Sequence, residues 1–95
     1  MPHTATWNGK VIASSEETRE ADGYRYFPRE AVKMDLLRIS PKTARDLECP
    51  HGVQFYDVVE GDRTSKRAAW SYEAPQLRLK PVDHWIGFWE DVSVA

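Results

Sequence analysis

The chain has a single cysteine, Cys49, which excludes an internal disulfide framework and a four-cysteine zinc site. Its five glycines, Gly9, Gly23, Gly52, Gly61 and Gly87, stand apart from one another, so there is no phosphate-cradling glycine loop. No run approaches the roughly 18–20 apolar residues of a membrane-spanning helix, and no membrane association is expected. Residues Met1 to Gly9 contain no charged region followed by an apolar run, so they do not read as a secretory signal. With one cysteine and no export signal, the cytoplasm is the expected compartment. A charge excess of one sign is also missing. Thirteen Lys and Arg face fifteen Asp and Glu, which excludes a general nucleic-acid binder.

What the sequence does have is aromatics: four Trp, four Tyr and three Phe in 95 residues. That length supports one domain, read as 1–95, and a chain so short buries only about 60–65% of its unfolded surface. Large aromatic side chains can thicken such a core, because each buries about 150–250 Å². The same residues can instead wall a pocket. Composition does not separate the two readings, so placement along the chain must.

Turn-forming residues punctuate short segments, which favours an antiparallel β domain over a helical bundle. Lys10–Ser14 reads as the first strand. Thr18–Ala21 and Tyr24–Phe27 flank Asp22-Gly23, a strong two-residue hairpin signal. Pro28 ends that hairpin and opens one helical turn over Arg29–Val32. Met34–Ile39 reads as a strand or a tight turn. Ser40-Pro41 ahead of Lys42–Leu47 reads as the start of a short helix or an irregular lid. Val53–Val59 alternates as a strand, Glu60–Arg63 turns, and Thr64–Tyr72 is the next strand. Simple alternation places Ala68, Trp70 and Tyr72 on one face and Arg67, Ala69 and Ser71 on the other. Gln76–Lys80 reads as a half-buried edge strand that offers a route to self-association. Trp85–Trp89 reads as a buried strand, with Trp7 and Trp85 assigned to packing.

Charge is segregated along the chain. Residues 25–45 carry six basic and two acidic side chains, and residues 63–80 carry five and one. These segments either solubilise turns and edges or converge on one face to receive an anion. Cys49, His51 and His84 are the only cluster with metal-capable atoms, but Cys-x-His is not a usual chelating spacing, and neither a metal nor a cofactor is expected. Cys49 reads either as a nucleophile with His51 or His84 as base, or as a small hydrophobe at the base of a loop. The adjacent carboxylates Glu16-Glu17 and Glu90-Asp91 point to opposite faces on extended chain and give no case for hydrolysis.

The aromatic set Tyr26, Tyr56, Trp70, Tyr72 and Trp89 is the stronger candidate. Tyr and Trp offer a flat apolar face and one polar handle, which suits a planar or cationic group. Arg29, Arg67 and His51 are the polar rim, and Cys49 lies beside them. The ligand expected of such a site is small and planar or anionic.

Several segments together carry a resemblance. Trp7-Asn8-Gly9 leads into Val11-Ile12-Ala13-Ser14, and Gly23-Tyr24-Arg25-Tyr26-Phe27-Pro28 follows. Cys49-Pro50, Ala69-Trp70-Ser71-Tyr72-Glu73-Ala74-Pro75 and Ile86-Gly87-Phe88 complete the series. In that order they resemble the family called domain of unknown function 427, from about Trp7 to Val92. The resemblance implies a mainly β, antiparallel, β-tent-like domain with two small sheets and one or two short helical turns. Similar architecture occurs in methionine sulfoxide reductase B and in the ligand-binding domain of cereblon, which uses an aromatic cage. The family also carries a nucleotidyltransferase-like label, so an enzyme acting on nucleotides or another small metabolite is the alternative to a binding module. Family members usually read Cys-Pro-x-Lys-Gly. Here Cys49-Pro50-His51-Gly52 lacks the lysine and is one residue shorter, which leaves His51 or a distant arginine to take any role the lysine serves.

Overall fold

Asn8 and Gly9 both take positive φ, 54° and 76°, the backbone that a two-residue hairpin turn requires. They fold β1 (His3–Trp7) back onto β2 (Lys10–Ser15), with Trp7 opposite Lys10. Asp22 and Gly23 do the same, at 52° and 86°, between β3 (Arg19–Ala21) and β4 (Tyr24–Phe27). The structure is a computed structural model that describes residues 2–95. It is mainly β, and the strands form two antiparallel sheets.

The remaining strands are β5 (Leu37–Ile39), β6 (Val53–Glu60), β7 (Arg63–Tyr72), β8 (Ile86–Phe88) and β9 (Ser93–Val94). The small sheet runs β2-β1-β9 and the large one β3-β4-β8-β7-β6-β5. Single 3-10 turns cover Arg29–Ala31 and Met34–Leu36, so the ambiguous stretch 34–39 resolves into a turn followed by a strand. The one α-helix among the described residues, α1 (Ala44–Leu47), starts later than Ser40-Pro41 suggests. Its cap is Thr43, whose hydroxyl accepts from the Asp46 amide while the Asp46 carboxylate accepts from the Thr43 amide. That reciprocal pair satisfies two otherwise orphaned donors, which Ser40 does not do.

Cross-strand pairing assigns the two faces of the large sheet. Tyr26 and Trp70 both lie opposite Gly87, Phe55 lies opposite Trp70, and Val53 opposite Tyr72. These residues, with Tyr24 on the same face of β4, form one surface. Phe27, Ile86, Phe88, Ala69 and Tyr56 form the other, and it packs on Ala5, Trp7, Ile12, Ala13 and Val92 as the main core. One face is therefore closed by the second sheet and the other is not.

Two strand expectations are corrected. Gln76–Lys80 is not an edge strand: Leu77–Val82 is a 3-10 helix that begins with Leu77 at φ 54° and contains Pro81. Leu79 and Val82 are three residues apart, one 3-10 turn, so both fall on the buried side against Tyr26 and Trp70. The proposed edge for self-association is thus helical backbone. At the C-terminal end only Ile86–Phe88 is strand, leaving Trp89 outside it and Trp85 half-buried beneath the Arg19 guanidinium, 4.3 Å from its ring.

Gly87 shows how tightly the open face is packed. A Cβ there would stand 2.8 Å from Trp70 Cζ2 and 3.0 Å from Tyr26 Cε2. Gly87→Ala is therefore expected to cost about 1–3 kcal/mol in urea unfolding and to change the near-ultraviolet circular dichroism of Trp70.

Candidate functional site

Arg67 organises the open face. Between Tyr56–Ala69 and Val58–Ser65, β7 carries two residues more than β6, and Arg67 sits in this bulge at φ 56°. Its amide donates to Asp57 Oδ1 at 2.9 Å, which satisfies the donor that the broken ladder releases. The extra residues turn Ala68 into the main core and carry the Arg67 side chain over the Phe55 ring, 4.0 Å from its centroid. Strict alternation assigns the two residues the other way round, and the bulge is the reason it fails.

The Arg67 guanidinium makes a bidentate pair with Asp46, at 3.0 and 2.8 Å. Hydrogen bonding from Arg67 outweighs the opposing effect of burial, and with the Thr43 amide it lowers the Asp46 carboxyl to about 2. The Arg67 carbonyl accepts from the indole N–H of Trp89 at 2.5 Å. Trp89 thereby lies nearly parallel to Phe55, at 6.1 Å and 28°, and edge-on to Trp70 at 5.5 Å. Tyr24 meets Trp70 edge-on at 5.0 Å. These offset and edge-to-face contacts are the favoured aromatic geometries, so the walls are held before any ligand arrives.

Two adjoining cavities open on this face. One, about 120 Å³, is walled by Tyr24, Val53, Phe55, Trp70, Tyr72 and Trp89. The other, about 410 Å³, shares Val53, Phe55, Tyr72 and Trp89 and adds Arg45, Asp46, Cys49 and Arg67. Joined, they fall in the range of about 300–1,000 Å³ typical of small-molecule sites. Tyr24 and Trp89 are 40% and 36% exposed, so the aromatic wall is reachable from solvent. A separate cleft of about 360 Å³ lies between Trp7, Asn8, Arg63, Thr64 and Asp91 and shares no lining residue with the aromatic cluster.

Of the residues singled out from sequence, Cys49, Arg67, Trp70, Tyr72 and Trp89 line this cleft. Tyr26 lies beneath it, fully buried, and accepts a hydrogen bond from the Trp70 indole at 3.3 Å. Burial pushes the Tyr26 hydroxyl well above the usual phenol range, and Tyr72 moves the same way for the same cause. His51 stands beside Tyr72, ring centroids 5.5 Å apart, but its Nδ1 accepts from the Gln76 amide at 3.0 Å. That bond ties the Cys49–Gly52 loop to the segment after β7, as do the Glu73 and Ala74 amides donating to the carbonyls of Gly52 and His51.

Tyr56 and Arg29 lie on the opposite face. Arg29 Nη1 donates to the Tyr56 hydroxyl at 3.4 Å and Nη2 to Glu73 at 3.2 Å, while the buried Ser71 hydroxyl donates to the same Glu73 oxygen. The two basic segments meet at one point, where Arg45 and Arg67 line the larger cavity, and their other arginines are paired elsewhere or lie outside it. Arg25 pairs with Glu20, Arg29 with Glu73, Arg67 with Asp46 and Arg78 with Asp22. Sequence reading missed Tyr24, Val53, Phe55, Arg45 and Asp46. The signal for Tyr24 was present, since it is two residues from Tyr26 on one strand and so on the same face.

Residues 3–95 match the family described as Domain of unknown function (DUF427). No curated protein matches the chain.

The Arg67–Asp46 pair has a pH signature. A carboxyl lowered from 3.8 to about 2 on folding stabilises the protein fully above 3.8, and that contribution is lost as pH falls through 2. Asp46→Asn is expected to cost about 1–3 kcal/mol near neutrality. It should also flatten the stability profile between those two values, read by urea midpoints at successive pH.

Proposed function

The chain belongs to the DUF427 family, whose description specifies no chemistry, and we propose from the cleft itself that the protein is a small-molecule binding module for a planar ligand. One observation carries this: five aromatic side chains lie together on the sheet face that the second sheet leaves open, two of them substantially exposed. Exposed aromatic surface is costly unless something covers it, and a flat ligand stacked against Trp89 and Trp70 would do so. The walls are already fixed, by Asp46 and Asp57 through Arg67 and by the carbonyl that holds the Trp89 indole. Such preorganisation limits the entropy lost on binding.

The enzyme alternative draws less support. His51 commits Nδ1 to the backbone of Gln76, and the His84 ring stands against Asp83 and Glu73 in the network with Arg29, on the other side of the sheet from the cleft. The cleft offers stacking surface and a few polar groups, which is the equipment of a binding site.

A ligand of about ten heavy atoms at about 0.5 kcal/mol per atom would bind with a Kd on the order of 0.2 mM. A tryptophan-fluorescence titration of planar metabolites therefore has to reach millimolar concentration. Trp89→Ala is expected to weaken any quenching ligand about tenfold, whereas Trp89→Phe retains most of the affinity. Undiminished affinity in a folded Trp89→Ala variant would exclude this cleft as the site.

A further inference from the structure

The two halves of the cleft differ in polarity, and the difference specifies a ligand. The smaller half is almost wholly aromatic, and its volume of about 120 Å³ suits a single ring. The larger half carries Arg45, Asp46 and Arg67. Arg67 is already committed: its guanidinium pairs bidentately with Asp46 and lies on Phe55. Arg45 is different. It lines the larger half and takes part in none of the ion pairs found among the described residues. Its charge is therefore the net charge of the cleft's ionised wall, because Arg67 and Asp46 cancel.

Resting on the planar-ligand reading, we propose that the ligand is bipartite: one ring held by Tyr24, Trp70 and Trp89, and an anionic group, carboxylate or phosphate, directed to Arg45. Aromatic walls alone would accept a cation equally well. Here an ammonium would approach two guanidinium groups, and the one acidic group has both oxygens engaged by Arg67. The same Arg67 guanidinium already lies on the Phe55 ring, which closes that face to a ligand cation. The shared wall of Phe55, Tyr72 and Trp89 keeps the two halves continuous, so a short linker spans them. Arg45 stands on the exposed surface of α1, where a charge–charge contact is worth up to about 1 kcal/mol. The expected preference is thus about fivefold in affinity.

The test uses the full chain and a matched series: 3-phenylpropionate, 2-phenylethyl phosphate, 3-phenylpropionamide and 3-phenylpropylamine, followed by tryptophan fluorescence. The expected order places either anion about fivefold tighter than the amide, with the amine weakest, and the anion advantage shrinking with added salt. Arg45→Gln should bring the anions to the amide's affinity and leave the amide unchanged. If the amide binds as well as both anions, or the amine binds best, the bipartite ligand is refuted while the planar-ligand reading stands. If none of the four binds, both fall. If Arg45→Gln weakens all four alike, the anion contact is refuted. Which anion binds more tightly distinguishes carboxylate from phosphate.

Discussion

The open face depends on one residue in a conformation that side chains rarely adopt. Arg67, at φ 56°, is held by Asp57 at its amide, by Asp46 at its guanidinium and by Trp89 at its carbonyl. Each contact ties a different element to β7: β6 through Asp57, α1 through Asp46, and the segment after β8 through Trp89. Left-handed backbone at a non-glycine residue costs on the order of 1–3 kcal/mol, so it persists only where the surroundings over-determine it. Three polar contacts and the stacking on Phe55 supply that determination. The strain is stored where the cleft is built, and its release would loosen Phe55 and Trp89 together.

The large sheet divides labour between its faces. Toward the second sheet lie the main core and the ring of Tyr56, whose hydroxyl stands among Ser71 and Arg29. That polar network joins the turn after β4 to the end of β7, and among the described residues no buried side-chain polar atom lacks a partner. It serves the fold, since its groups satisfy one another. On the other face Leu79 and Val82 of the 3-10 helix cover only part of the aromatic surface, which is why the cleft exists. A 95-residue chain has little apolar surface to spare. Leaving about a third of Trp89 exposed forgoes on the order of 2 kcal/mol of burial, taking about 25 cal/mol/Å² and a side chain of about 250 Å².

Local rules made much of the fold legible. Asp22-Gly23 marked a hairpin because both positions need positive φ, and the alternation of Val53–Val59 marked a strand. Asn8-Gly9 carried the same signal as Asp22-Gly23, yet His3–Trp7 is too short and too polar at its start to read as a strand without its partner β2. What failed was whatever depended on distant contacts. Alternation misplaced Arg67 and Ala68 because a bulge is set by pairing with β6, not by β7 itself. Gln76–Lys80 has the period-2 pattern of a strand, but Leu79 and Val82 reach the buried side against Tyr26 and Trp70 as one 3-10 turn. The site was legible in part for the same reason. Trp70 and Tyr72 share a face by simple parity, while Tyr56 is set on the far side by its pairing with Ala69 and Arg29 by the 3-10 turn after β4.

The loop that departs from the family pattern fits this picture. Gly52 takes φ 64° with Ala74 only 3.3 Å from where a Cβ would stand, so the chain after β7 packs directly on the Cys49–Gly52 turn. His51, which precedes Gly52, spends its ring nitrogen on the Gln76 amide. A lysine has no acceptor and could not make that bond. In this chain the loop is therefore fastened from its own side chain to the segment that leads into the 3-10 helix, and Leu79 and Val82 are positioned beneath the aromatic wall by that helix. His51 thus acts as a structural tie between the two segments. Arg45, on the neighbouring α1, lines the cleft and takes part in none of the ion pairs among the described residues.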